Sequence, residues 1–458
     1  MVKVFYYVVL MLLLVPSVNA QELKPRLVVL TDIGPAEIEP DDNESAVRLL
    51  SYADRFEIEA ICTTIGWNCD PYPAEWAEYL TRVVDAYSID VENLKKRSKQ
   101  QGFLPIEVEN GKQQLGYWPS SDYIRSRTMM GSQKAGIGVI GEGNDSPGSD
   151  FLIKLADEDD PRPIWVTSWG GANTLAQAIW RVSQTRSLEE TKRFVQKFRL
   201  YTITDQDMQW HMRMNRAYSS HQWMRREWKD DLMFIWDESA WLNQNELGKN
   251  NWDKYATLIQ GKGAMGKVYP TYKWGVEGDT PSFLHLMPNG LNDPNDPEQV
   301  GWGGYHVYAL SPDSITYAWT NWHQPVKDIS DAYEKRFYPD EFNDFAARMA
   351  WAESGTGNTN PVVVVNGSES IMPLVIKAKV GDVVKLNASQ SYDPEGDGLS
   401  FLWWQQGDGV TIDNPTSADI SLTIPSTAKG KRLHLICEVR DNGAFTLVSY
   451  RRVIVEVE

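Results

Sequence analysis

The run Leu27-Val28-Val29-Leu30-Thr31-Asp32 ends an apolar strand pattern in an acid, turns through Gly34 and Pro35, and meets Asp41-Asp42 at the head of a helical pattern. Strand, loop and helix start in that order open a β–α unit. Three carboxylates, those of Asp32, Asp41 and Asp42, gather near the C-terminal end of one strand. In open α/β sheets, ligands sit in the crevice outside the strand C-termini. Clustered carboxylates repel one another, and a hard cation with oxygen ligands relieves the repulsion. A second reading stands beside this one: Asp41 and Asp42 complement the helix dipole and cap the helix. It accounts for the pair and gives Asp32 no role.

The pattern continues. Helical periodicity over Asp42 to Ala53, a strand over Glu57 to Thr64 and a helix over Pro73 to Tyr87 come next. A short helix at Asp150 to Ala156, a strand at Pro163 to Ser168, a helix through Leu175, Ile179 and Val182, and a strand at Lys197 to Thr204 follow. Strands alternating with helices specify an α/β fold, a mostly parallel sheet with helices on both faces. Met208 to Trp252 is rich in Trp, Met and Arg and reads as a helical cap or as aromatic core. Residues 285–304 read as a long loop, and Pro339 to Ala352 as a helix. The chain has 458 residues, enough for two or three domains.

Beyond Ala352 the character changes. Residues 353–361 read as a linker, and 362–458 hold seven short alternating strands, the count of an immunoglobulin-like β-sandwich. Cys437 has no partner within it, so the usual sandwich disulfide is missing. Cys62 and Cys69 are close enough in sequence to close a small loop, but three cysteines make no disulfide framework, and Cys62, in an apolar strand pattern, reads as a core thiol. Residues 1–20 read as a cleaved signal peptide: Lys3, an apolar core from Val8 to Val15, then Val18-Asn19-Ala20. The mature chain, from 26 to 352 an α/β domain, is expected to be secreted or periplasmic. A formal net charge of -17 disfavours nucleic acid and anionic membranes as partners and suits a neutral ligand or a cation. No later segment is apolar enough to span a bilayer.

Four patches carry a family resemblance: Thr31-Asp32 with Glu39-Pro40-Asp41-Asp42, Trp169-Gly170-Gly171-Ala172-Asn173, Thr204-Asp205-Gln206-Asp207, and Glu277-Gly278-Asp279-Thr280-Pro281. The chain resembles the exported nucleoside hydrolase-like proteins described as cellulose-binding, which carry a C-terminal immunoglobulin-like domain. Trp302-Gly303-Gly304 supports that branch. The resemblance implies a calcium site, with Asp32, Asp42 and Asp279 as carboxylate ligands and the backbone carbonyl at or near Asn173 as another. It implies that Asp32 accepts a proton from the water that attacks an anomeric carbon. It places Asp41 against the sugar hydroxyls and sets Asp205 or Gln206 where the family has a ribose-binding asparagine; Asn173 and, from its own glycine-flanked loop, Trp169 are expected beside the ligand. Departures are also plain. Leu30 stands where the family has an acid, the loop from Asp32 to Asp41 is longer, and Gly278 replaces the histidine that protonates a leaving base. The expected function is a calcium-dependent glycosidase-like hydrolase, N-glycosyl by resemblance. The alternative is a carbohydrate-binding protein that keeps the fold without the chemistry, and a third reading is a cell-surface scaffold.

Other signals are weaker. Nineteen Trp residues offer rings for sugar stacking, Trp169 and Trp302 being expected near the strand ends. His211, His221, Tyr305 and Glu277 are acid candidates. The glycines from Gly136 to Gly143 have neither Rossmann nor P-loop spacing, and no Gly-x-Ser-x-Gly elbow occurs. Ser391-Tyr392-Asp393-Pro394-Glu395-Gly396-Asp397-Gly398 before Trp403-Trp404 resembles polycystic-kidney-disease-type modules, with one Trp facing the core and the other exposed or covered by the first domain.

Overall fold

The computed structural model describes residues 22–207 and 218–458. The signal-peptide segment and His211 lie outside the described residues. Eight described strands form one sheet: β1 (Arg26–Thr31), β2 (Glu57–Thr63), β3 (Thr128–Met130), β4 (Ile164–Ser168), β5 (Phe198–Ile203), β6 (Met233–Asp237), β7 (Val307–Leu310) and β8 (Tyr317–Thr320). Their order is β3-β2-β1-β4-β5-β6-β8-β7, parallel throughout except for the antiparallel β7–β8 edge. The helices used below are α1 (Pro40–Ser51), α2 (Ala77–Arg97), α3 (Asn173–Thr185), α4 (Ala240–Asn250) and α5 (Val326–Ser354).

The alternation of side chains explains the apolar runs. In β1, Leu27 and Val29 join the core that also holds Leu49 of α1 and Val83 of α2, while Val28 and Leu30 join the core holding Leu175 and Ile179 of α3. A strand buried on both faces reads as a continuous apolar run. The sheet order reverses between β1 and β4. There the chain leaves the sheet in opposite directions and opens a crevice at the strand C-termini.

Two expectations change. The Met208–Trp252 segment is neither cap nor plain core where it is described: it contains β6, paired between β5 and β8, and α4. The last helix of the first unit does not begin at Pro339 but at Val326, with Pro339 inside it. An interior proline costs about 3 kcal/mol, and burial of Phe337, Tyr338, Phe342 and Phe345 outweighs it. Cys62 is the buried core thiol that its apolar strand indicates, and Cys69 and Cys437 are buried and unbridged as well.

Strands β9 (Leu374–Ala378), β10 (Val383–Asn387), β11 (Ser400–Gln406), β12 (Asp419–Thr423), β13 (Arg432–Arg440) and β14 (Val448–Val457) form the C-terminal sandwich, a sheet β11-β13-β14-β9 over a pair β10-β12. Trp403 opposes Cys437 in its core. The outer face of the larger sheet packs on the first unit: Ile436, Val448 and Tyr450 belong to the same core as α5. Trp404 is covered there, beneath the Arg336 guanidinium at 4.5 Å, with its Nε1 donating to Glu438 at 2.8 Å. Asp340 accepts from Arg440 at 2.5 and 2.9 Å and from the Tyr450 hydroxyl at 3.1 Å.

Candidate metal and sugar site

The acids come together at the switch point. Asp32 follows β1 and is buried. The loop after it is pinned by Asn43, whose amide donates to Gly34 O at 2.8 Å and Glu39 O at 2.9 Å. This places Glu39, Pro40, Asp41 and Asp42 across the first turn of α1. Glu39, Asp41 and Asp42 each offer an oxygen within 4.8 Å of the others. Asp279, 247 positions after Asp32 in the chain, precedes the short helix Thr280–Leu284 and faces the same space.

Charge defines the site. Two full charges 4.8 Å apart repel by about 3.5 kcal/mol at an effective dielectric of 20. Burial first, then neighbouring acids, raise the Asp32 pKa well above the usual carboxylate range, the neighbours being Asp42, Glu39 and Asp41. Asp279 rises for the same reasons, its neighbours being Asp42, Asp41, Asp32 and Glu39. Burial, then Asp41, pushes Asp42 up to about 8, and burial pushes Asp41 up to about 6. Backbone N–H groups at the head of α1 offset only part of this, so helix capping alone does not account for the pair. Among the described residues, Lys273 near Glu39 is the one cation among the principal influences on these five groups.

The donor set fits a hard cation. Asp32 Oδ2 and Asp279 Oδ2 are buried and have no hydrogen-bond partner. Buried carboxylate oxygens are normally hydrogen-bonded. Close packing aims Asp32: a Cβ at position 66 would lie 1.6 Å from Asp32 Oδ2, and one at 170 would lie 2.7 Å from Oδ1. Thr31 Oγ1 donates to Asp42, which also lines the cavity.

The cavity above the acids has a volume of about 480 Å³. Trp67, Trp169, Trp241 and Trp274 form its walls. Asn68, Gln206 and Asn245 supply amides, and Asn245 Oδ1 has no partner. Trp169 Nε1 donates to Ser282 Oγ at 2.8 Å, and Ser282 Oγ donates to Asp279 O at 2.6 Å, tying a wall to the acid. Trp67 Nε1 donates to Asp205 O at 3.0 Å. Gly278 leaves room for both neighbours: a Cβ there would lie 2.9 Å from Asp41 Oδ2 and 3.1 Å from the Asn245 amide.

Several expected residues stand elsewhere. Asn173 is buried and, like Asp32, is not among the residues that line the cavity; with its amide turned to satisfy both neighbours, its nitrogen donates to Asp207 Oδ1 at 2.9 Å and its oxygen accepts from Gly136 N at 3.1 Å. Asp205 is also withdrawn, accepting from Ser219 Oγ at 2.9 Å. The left-handed turn at Thr204, φ 53°, swings the chain so that Thr204 and Gln206 line the cavity instead. Glu277 pairs with Arg48 and accepts from Tyr269 at 2.9 Å, so it is no free acid. His221 lies in the core, bonded to Thr202 at 3.0 Å and Arg225 at 3.2 Å. Tyr305 lies outside the walls, and Trp302 packs on Tyr450 of the sandwich. Asn245, Trp67, Trp241 and Trp274 went unread in the sequence. Trp241 and Asn245 are four apart on α4, just past the end of β6, and recognition of that strand would have pointed to them.

Comparisons with known proteins agree with this architecture. The family model of the cellulose-binding Sde182 nucleoside hydrolase-like domain matches residues 26–306, and that of the Sde0182 C-terminal domain matches residues 383–457. A solved nucleoside hydrolase-related protein from Saccharophagus degradans, described as associated with carbohydrate metabolism, is 33% identical. The match covers 95% of this chain and 100% of that one, with a TM-score of 0.78. The PKD domain of the KIAA 1837 protein is 24% identical over 22% of this chain and 92% of that one, with a TM-score of 0.17, too low to carry an argument. No curated protein matches. Among the described residues, no helix is long and apolar enough to cross a membrane. A shared nucleoside hydrolase-like unit and a shared C-terminal domain place the chain in the cellulose-binding Sde182 family.

Proposed function

We propose that this chain is an exported, calcium-dependent carbohydrate-active protein that hydrolyses a glycosyl bond at the switch-point cavity. The observation that carries the reading is the pair of buried, unpartnered oxygens, Asp32 Oδ2 and Asp279 Oδ2, in a cluster of five acids. Asp32, Asp42 and Asp279 would hold the ion. When bound, calcium supplies the positive charge that anchors a sugar diol and acidifies a coordinated water. The chain's own groups do the rest. The tryptophan walls take the C–H face of a sugar ring and exclude water. Asp41 and Asn245 accept hydrogen bonds from its hydroxyls, and Asp32 accepts a proton from the attacking water. Export rests on the Lys3 and Val8–Val15 pattern of the N-terminus.

Gly278 favours a second reading, retention of a glycan without turnover, because no side chain stands at that position to protonate a leaving group. One experiment separates the two. Nucleosides and aryl glycosides, then cello-oligomers, are assayed with calcium and with a chelator. Turnover that requires calcium and falls at least about 100-fold in Asp32→Asn supports the hydrolase. Calcium-dependent retention with no turnover of any of these supports the binding protein. Loss of both effects of calcium refutes the site itself.

A further inference from the structure

The β7–β8 hairpin forms the antiparallel edge of the sheet. Its register sets Tyr308 opposite Trp319 and Leu310 opposite Tyr317. Directly opposed residues share a face, and residues two apart along a strand share it too. One face therefore carries three rings. The Tyr308 centroid lies 5.8 Å from Tyr317, with planes at 31°, and 5.5 Å from Trp319. Tyr308 is 53% exposed and Tyr317 57%. Edge strands are usually blunted by charge; this one displays rings, and an exposed apolar patch marks a binding surface.

The rings border a cavity of about 490 Å³ whose walls include Arg199, Lys229 and Asn295. Arg199 Nη1 donates to Gln196 O at 2.8 Å and Phe198 O at 2.9 Å, and among the described residues its guanidinium makes no ion pair. Its remaining N–H groups are spare donors. Rings flanked by amide, cationic and acidic groups complement a polyol, which has C–H faces and a hydroxyl rim, better than they complement an anion or an aliphatic protein face. The position is remote from the acidic site. Arg199 lies near the start of β5, next to Phe198 where the strand begins, whereas Ile203 at its other end and Thr204 just beyond line the acidic cavity. That cavity holds a short ligand; the hairpin face is open, so a chain can run across it.

We infer that the Tyr308, Tyr317 and Trp319 face, with Arg199 at its margin, is a second carbohydrate site that docks an uncharged polysaccharide chain, independently of the acidic cavity. The inference goes beyond the proposed hydrolysis and does not depend on it.

The test is retention of the full chain on microcrystalline cellulose with a chelator present throughout. The wild-type chain should be retained. Tyr308→Ala/Tyr317→Ala should bind about tenfold more weakly or worse, Tyr308→Phe/Tyr317→Phe should bind as wild type, and the calcium-dependent thermal shift of both should be unchanged. If the alanine pair loses its native melting transition, Tyr317→Gln alone carries the same test. Three outcomes overturn the inference: a wild-type chain that does not bind, a folded alanine variant that binds as well as wild type, or an alanine variant that changes only self-association in sedimentation. Because no calcium is present, failure of the acidic site leaves this result untouched.

Discussion

Glu277 and Asp279 are two residues apart, both buried, and treated in opposite ways. Glu277 is answered: Arg48 pairs with it, Tyr269 donates at 2.9 Å and Gln244 at 3.1 Å. Asp279 is unanswered: its Oδ2 has no partner, and its nearest charges are other acids. A buried charge is tolerated when the fold supplies its partner. A fold that buries several like charges without one relies on something from outside. The first carboxylate belongs to the scaffold, and the second belongs to the function.

The largest effect should fall on the scaffold side. Arg48→Met leaves Glu277 buried without its cation, and unfolding in urea should register a loss of about 3–5 kcal/mol. The opposite sign is expected two residues on. Asp279→Asn removes one repelling charge, so in chelator the chain should gain about 1–3 kcal/mol. Its calcium affinity, read by calorimetry, should fall about 100-fold or more. A destabilised Asp279→Asn in chelator would erase the contrast.

Acidity sharpens the contrast. Burial and like charge raise Asp41 to about 6 and Asp42 to about 8 from 3.8. Between those values the folded state holds protons that the unfolded chain has released, so in chelator these groups make stability fall as pH rises from 4 to 8. Calcium replaces those protons, so the gap between melting temperatures with and without calcium should widen over the same window. A gap independent of pH would mean that the ion binds elsewhere. The smallest effect belongs to the rim. Trp274 is 63% exposed, so Trp274→Ala should leave the melting temperature unchanged and weaken sugar binding by about 1 kcal/mol in titration.

Some of this was legible beforehand. The apolar run from Leu27 to Thr31 is the strand its pattern indicates, β1, because burial on both faces writes an unbroken apolar run. The gathering of Asp32, Asp41 and Asp42 follows from one strand and one helix start. The place of Asp279 in the cluster was legible only through resemblance, since no period links positions 32 and 279. Asn173 and Asp205 entered through the resemblance, and side-chain direction at those turns is decided by a left-handed Thr204 and by Asp207. The start of α5 was hidden because Pro339 obeys a local rule that packing overrides.

By itself the order of residues determined the alternating strands and helices of the first unit, the sandwich pattern of the second and a cluster of acids at one strand end, all features written at periods of two to four residues. Tertiary structure alone decided which buried acids find a cation, which of Trp403 and Trp404 is covered by the neighbouring unit, and which four tryptophans wall the cavity. Those outcomes depend on contacts between segments hundreds of residues apart, where the balance of burial, charge and packing is set by the assembled core and not by any local pattern.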